Sequence, residues 1–485
     1  MIKSEDDVLV QGGMAVSGQG VVRKDILISD GRILEMAADL SGRSVGRVIN
    51  AKGKYVLPGA IDSHAHPVYQ DKMDDYSICA AFGGVTTIMA FVGNFSNWGF
   101  SGYTPDILRK FIAGAEAISY LDFSVHAAYQ GADDAEKSLP EIIDMGITSF
   151  KMFMTHRRRG RMMPDEKMIK IMEMIGSLGG LALVHAENGY CQDYLLDKFM
   201  AEGKTSNEYF LKSQPNISEA EALFRSGVYA GTTQCPLYGV HLSAKESLPM
   251  LRMLREQGYT VFGETCPQYL TLTNAEVMTK DALGKTGPPL RERADVEALW
   301  NALADGTLQT IGSDSGGFTI AQKQTGGLSA EHFQSPKDRP LKMRDIFDAR
   351  FGFNTIQYMV PIVFTEGVQK GRITLPRLVQ VFSENPAKIF GMYPQKGVLA
   401  PGSDADLVIW DPSKPAIATA KEQKGNTDWT PFEGFELQGM PVLTMQRGKV
   451  IMEDGRLLGT KGGGRFIRRN ATKAAYAAEG HVLAN

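Results

Sequence analysis

Residues 146–156 read GITSFKMFMTH, a short run of bulky apolar residues with one lysine, Lys151, in its middle. Ile147, Phe150, Met152, Phe153 and Met154 crowd too closely along the chain for the one-sided pattern of a surface helix, and Gly146 marks the start of the run. The stretch therefore predicts an inner strand. An ammonium buried there alone is costly, so Lys151 is expected to be paired, deprotonated or chemically modified. The plainer alternative is a side chain whose head reaches past the strand end to solvent or to a carboxylate.

Seven further stretches share this character. In chain order the set is AIDSHAH (60–66), VTTIMAFVG (85–93), DFSVHAAYQ (122–130), ITSFKMFMTH (147–156), LALVHAEN (181–188), LYGVHLSA (237–244), TVFGETC (260–266) and TIGSDSGG (310–317). Helix-like segments such as PDEKMIKIMEMIGSLGG (164–180) and AKESLPMLRMLREQG (244–258) lie between them. The methionines of the first of these are expected to be core filler. Strand and helix in regular alternation predict a parallel sheet, and eight units predict closure into a (β/α)8 TIM barrel.

Both chain ends use a different grammar, with short apolar runs broken by Asp-Gly, as in DILISDGRILEMA (25–37) and VIMEDGRLL (450–458). The expected organisation is an α/β chain whose barrel spans 58–396. A small β-sandwich is built from 1–57 and 397–460, and a tail, 461–485, runs on the surface or to a neighbouring subunit.

The 485 residues carry a formal net charge of -3, with no global basic footprint to suit nucleic acid or an anionic membrane. The four cysteines are scattered without a CxxC pair, which argues against a disulfide scaffold or zinc ribbon. No apolar stretch reaches membrane-spanning length. A cytoplasmic protein acting on a small molecule is expected.

Polar residues at the C-terminal ends of barrel strands carry catalysis in this fold. Four of the eight histidines, His64, His66, His185 and His241, fall at such ends, together with Lys151 and Asp314. In His64-x-His66 the period of two puts both imidazoles on one strand face, and neutral imidazole is the commonest metal ligand. Four imidazoles and a carboxylate exceed one tetrahedral zinc site, so two divalent ions fit better. Ions about 4 Å apart need a bridging anion, which a lysine supplies only as its carbamate, N6-carboxylysine. Such a pair lowers the pKa of bound water and polarises a carbonyl, and Asp314 is placed to move a proton to the leaving nitrogen.

The motifs LPGAIDSHAH (57–66), GITSFKMFM (146–154), LVHAEN (183–188), VHLSAKES (240–247), ETCPQYL (264–270), GPPLRER (287–293) and SENPAKIFGMYPQKGVLAPGSDADLVIWDP (383–412) run through nearly the whole chain. Together they resemble the dihydropyrimidinase and hydantoinase family of cyclic amidohydrolases. The resemblance implies that His64, His66 and Asp314 hold one metal and His185 and His241 a second, usually zinc, with carboxylated Lys151 and a hydroxide bridging both. It implies attack of that hydroxide on a cyclic amide or ureide, Asp314 as general base and acid, and a homo-oligomer, tetramer or dimer.

The substrate shell departs from the family pattern. His156 stands where the family has a tyrosine, Gly287 where a serine usually precedes the two prolines, and Ser315 where a histidine follows the aspartate. His156 and Gly287 are therefore candidate substrate-binding residues, and the substrate is expected to differ from dihydrouracil, with an acidic or non-pyrimidine amide such as allantoin or a cyclic imide as the alternative. The basic run Arg157–Arg161 either steers an acidic substrate group or lies in a solvated loop or subunit contact. A non-catalytic scaffold of the same fold is the remaining alternative, and the complete ligand set argues against it.

Overall fold

The computed structural model describes residues 7–131, 133, 135–324 and 345–470. Seven short strands come first: β1 (Val8–Gln11), β2 (Met14–Ser17), β3 (Gly20–Arg23), β4 (Asp25–Ser29), β5 (Arg32–Ala37), β6 (Arg47–Asn50) and β7 (Tyr55–Pro58). Asp30 and Gly31 both take positive φ, 50° and 76°, between β4 and β5. This is the tight hairpin turn that the Asp-Gly pair anticipates.

Eight strands follow: β8 (Ala60–Ala65), β9 (Val85–Gly93), β10 (Asp122–Ala128), β11 (Ser149–Phe153), β12 (Leu181–His185), β13 (Leu237–Gly239), β14 (Val261–Thr265) and β15 (Thr310–Ile311). They form one parallel sheet in sequence order. Every described residue of these strands is buried, as expected of strands covered on both faces. The sheet comes back on itself beyond the short last strand, where Asp314 N donates to His64 O at 2.9 Å and Ala65 bridges to Ser315. The architecture is the TIM-like barrel that the alternation predicts. Helix Asp165–Ser177 turns Met168, Ile171, Met172 and Ile175 inward, so these methionines are core.

The chain closes with β16 (Leu407–Ile417), β17 (Glu436–Gln446), β18 (Lys449–Glu453) and β19 (Arg456–Leu457). Strands from both ends share one sheet, ordered β19-β18-β17-β16-β7-β2-β3, which faces a second, ordered β5-β4-β1-β6. Val8, Val10, Ile26, Ile28, Val56, Leu407, Ile409 and Leu443 form the core between them. Barrel and end strands are tied by Lys396, whose buried ammonium reaches Asp122 at 2.6 Å, Asp406 at 2.6 Å and Asp404 at 3.0 Å. Burial opposes that charge, but the three carboxylates raise the Lys396 pKa above the ordinary lysine value.

The first part of the tail departs from the expected surface course. Phe123 N donates to Arg465 O at 3.0 Å and Ile467 N to Phe123 O at 2.7 Å, so the segment lies along β10 of its own chain. Arg469 is buried there and donates to Ser124 Oγ, Ser149 Oγ and Val125 O. The remainder of the tail, 471–485, lies outside the described residues. Among the described residues no helix is long and apolar enough to cross a membrane.

Candidate metal centre

β8 carries His64 and, one residue past its end, His66 on the same face, as the two-residue period requires. Their Nε2 atoms both lie 3.2 Å from Asp314 Oδ1. The three ligand atoms of His64, His66 and Asp314 fall within 4.8 Å of one another. Across the barrel, His185 at the end of β12 and His241, two residues past β13, meet through Nδ1 and Nε2 at 3.1 Å. His64 and His241 bring these groups together, with ring centroids 5.2 Å apart.

Carboxylates behind the rings assign the tautomers. His64 Nδ1 lies 2.7 Å from Glu264 Oε1, which directs the Nε2 lone pair toward Asp314. His185 Nε2 lies 2.6 Å from Glu187 Oε2, which directs its Nδ1 lone pair toward His241. Carboxylate–histidine pairs of this kind orient imidazoles for metal binding. Burial holds His64 and His241 well below the ordinary imidazole pKa, so both are neutral and able to ligate. Burial alone would raise Asp314, but His64, His66 and Lys151 hold it below the ordinary carboxylate range.

Glu264 was not anticipated as a functional residue, although its motif is conspicuous in the sequence. It accepts from Ser63 Oγ at 2.7 Å, Tyr238 OH at 2.8 Å and His241 N at 3.1 Å besides facing His64. One carboxylate thus orients the His64 ring and holds the backbone of His241. Gly312 makes this approach possible, since a Cβ there would stand 2.6 Å from both Glu264 Oε2 and His64 Cβ.

Lys151 sits within β11, paired between Ala128 of β10 and Leu183 of β12. It is 3% exposed, and its ammonium lies over the rings of Phe91 and Phe153 at 5.2 and 5.4 Å. The plainer alternative, a head that reaches past the strand end to solvent, is therefore not met. Burial lowers its pKa to about 7 against the opposing pull of Asp314 and Glu264.

Three of the candidate residues, His156, His241 and Asp314, adopt the left-handed backbone region, with φ of 58°, 42° and 46°. Non-glycine residues pay for that conformation and cluster at functional sites. The cavity, of about 120 Å³, is lined by all of the predicted residues, including His156 and Gly287. His156 stands edge-on to His185 at 5.3 Å, and a side chain at position 287 would press on Phe351 at 2.9 Å. The basic run divides. Arg157 and Arg158 pair outward with Asp193 and Asp197, whereas Arg159 and Arg161 line the cavity. Arg350, Tyr69 and Trp98 also line it and carried no signal in the sequence.

The family model described as "Amidohydrolase family" matches residues 55–451. A D-hydantoinase of Ralstonia pickettii is 34% identical over 478 residues, which cover 96% of this chain and 100% of that protein. A D-hydantoinase of Geobacillus stearothermophilus is 35% identical, covering 95% of this chain and 96% of that one. Among solved structures, dihydropyrimidinase from Brevibacillus agri superimposes with a TM-score of 0.86 at 32% identity, covering 96% of this chain and 99% of that one.

Proposed function

The chain belongs to the amidohydrolase family, and from this premise we propose that it is a metal-dependent hydrolase that opens the C–N bond of a cyclic amide or ureide. The observation that carries the reading is the convergence of the His64, His66 and Asp314 ligand atoms beside the His185–His241 pair at one barrel mouth. His64, His66 and Asp314 would hold one divalent ion and His185 and His241 another, with Lys151 as its carbamate between them. The residues suit such ions: the Nε2 atoms of His64 and His66 converge on Asp314 Oδ1, His185 Nδ1 and His241 Nε2 face each other, and His64 and His185 are oriented by carboxylates. Zinc is the ion proposed. Bound metal ions would lower the pKa of water and polarise the substrate carbonyl.

The chain's own groups supply the proton traffic. Asp314 accepts the proton of the attacking water and returns it to the ring nitrogen as the C–N bond breaks, so one water is consumed and an open-chain acid is released. His156, whose ring stands 5.3 Å from that of His185, would donate to the oxyanion that forms on the attacked carbonyl. Gly287 leaves room for Phe351 against the cavity. The cavity is far smaller than the roughly 300–1,000 Å³ that drug-sized ligands need, which suits a small ring compound.

Metal analysis after growth with zinc, combined with hydrolysis of dihydropyrimidines, 5-substituted hydantoins, allantoin and cyclic imides, tests this. We expect close to two ions per chain and turnover of at least one ring class. Less than one ion per chain together with no hydrolysis would leave the scaffold reading. The homo-oligomer, tetramer or dimer, is inferred from the family resemblance, and light scattering that returns the mass of one chain rejects it.

A further inference from the structure

Among the described residues the cavity lining holds three guanidinium groups, Arg159, Arg161 and Arg350, against one carboxylate, Asp314. Ring opening by the residues already described uses none of these arginines. Two neighbours in the same run are neutralised elsewhere, Arg157 by Asp193 at 2.7 Å and Arg158 by Asp197 at 2.5 Å.

Arg161 has no such arrangement. It is 7% exposed, and its guanidinium lies 5.1, 5.6 and 5.8 Å from the ring centroids of Phe95, Trp98 and Phe153. Among the described residues its side chain has neither a hydrogen-bond partner nor a carboxylate within ion-pair distance. Contact with ring faces offsets only part of the cost of burying a cation, and a buried charge is ordinarily paired. Arg350 repeats the pattern less deeply: its Nε is buried without a hydrogen-bond partner among the described residues, and its guanidinium lies 5.2 Å from the Phe318 ring. The loop that carries it is pinned by Lys323, whose Nζ donates to Arg350 O at 2.8 Å and Gly352 O at 2.9 Å.

Trp98 neighbours both Arg161 and the proposed metal ligand His66. Its ring is 5.6 Å from the Arg161 guanidinium and 5.6 Å from the His66 ring, and all three line the same cavity. A small ring held beside His66 and Asp314 would therefore present a short substituent to Arg161.

We propose that the substrate carries a carboxylate on a short substituent of its cyclic amide ring and that Arg161 binds it, with Arg350 as a second cation at the same cavity. This rests on the hydrolase reading and narrows its substrate class. A neutral carbonyl would not balance the buried charge, whereas a carboxylate matches the guanidinium fork in shape and sign.

The test compares hydantoin-5-acetate with its neutral near-isostere hydantoin-5-acetamide on zinc-grown protein. We expect kcat/KM to favour the acid by about 10- to 100-fold, the range of a hydrogen bond to a charged group. Arg161→Gln should bring the ratio close to one, Arg161→Lys should keep part of it, and Arg157→Gln, outside the cavity, should leave it intact. Equal kcat/KM for the two compounds in the native protein, or a ratio indifferent to Arg161→Gln, overturns the proposal and leaves the hydrolase reading standing. If neither compound is hydrolysed, calorimetric binding decides: tighter binding of the acid that Arg161→Gln abolishes sustains the carboxylate site, and equal binding of both compounds overturns it.

Discussion

Lys151 and Glu264 are both buried ionisable groups at the barrel mouth, and they differ in what makes their burial tolerable. Glu264 is satisfied within the protein by Ser63, Tyr238, His64 and the His241 amide. Lys151 instead faces two aromatic rings, and burial brings its pKa down to about 7, where the neutral amine that attacks carbon dioxide is abundant. Lys151→Ala is expected to lose bound metal and to lower activity by roughly 100-fold or more, with partial return on adding a short carboxylate. Full activity in that variant rejects the bridging role. For Glu264→Gln the expected outcome is zinc affinity weaker by about 10- to 100-fold, read by competition with a chromophoric chelator, because the imidazole behind the ligand atom loses its carboxylate. Unchanged affinity would show that Glu264 is a structural acid only. The oddity of Lys151 was legible in the sequence because it breaks a local apolar run. The role of Glu264 was not, because its partner His64 is 200 residues away.

At the scale of elements, the strand ends set the spacing of the site. Gly93 closes β9 against the end of β10, and a Cβ there would fall 1.9 Å from Ala128 O. Ala128 is itself the register partner of Lys151. Gly93→Ala should therefore cost about 1–3 kcal/mol through overpacking. The measurement is a lowered denaturant midpoint with a parallel fall in zinc content. A variant with a native midpoint would mean that the two strand ends separate freely. The strand and helix order was legible in advance, since apolar runs of strand length alternating with one-sided helical patterns are local properties. The extent of β15 was less so: only Thr310–Ile311 form the strand, and Asp314 reaches the site from beyond it, in a backbone region that no residue pattern announces.

Over the whole molecule, the two chain ends come together as one sheet and then hold the barrel from outside through Lys396 and Arg469. Arg469→Ala would leave Val125 O and two serine hydroxyls without their buried donor, a loss of about 1–3 kcal/mol. Thermal or denaturant unfolding checks it, and a variant as stable as the native chain would place the tail outside the cooperative unit. The sequence by itself determined the barrel, the pairing of both ends and the six candidate ligand positions, because periodicity, turn residues and His-x-His spacing are written in neighbouring residues. Only the tertiary structure decided which charges find partners. Closing the barrel brings Glu264 to His64, sends Arg157 and Arg158 outward to Asp193 and Asp197, and leaves Arg161 among aromatic rings in the cavity. A charged side chain's role depends on distances to residues remote in the chain, and those distances exist only after folding.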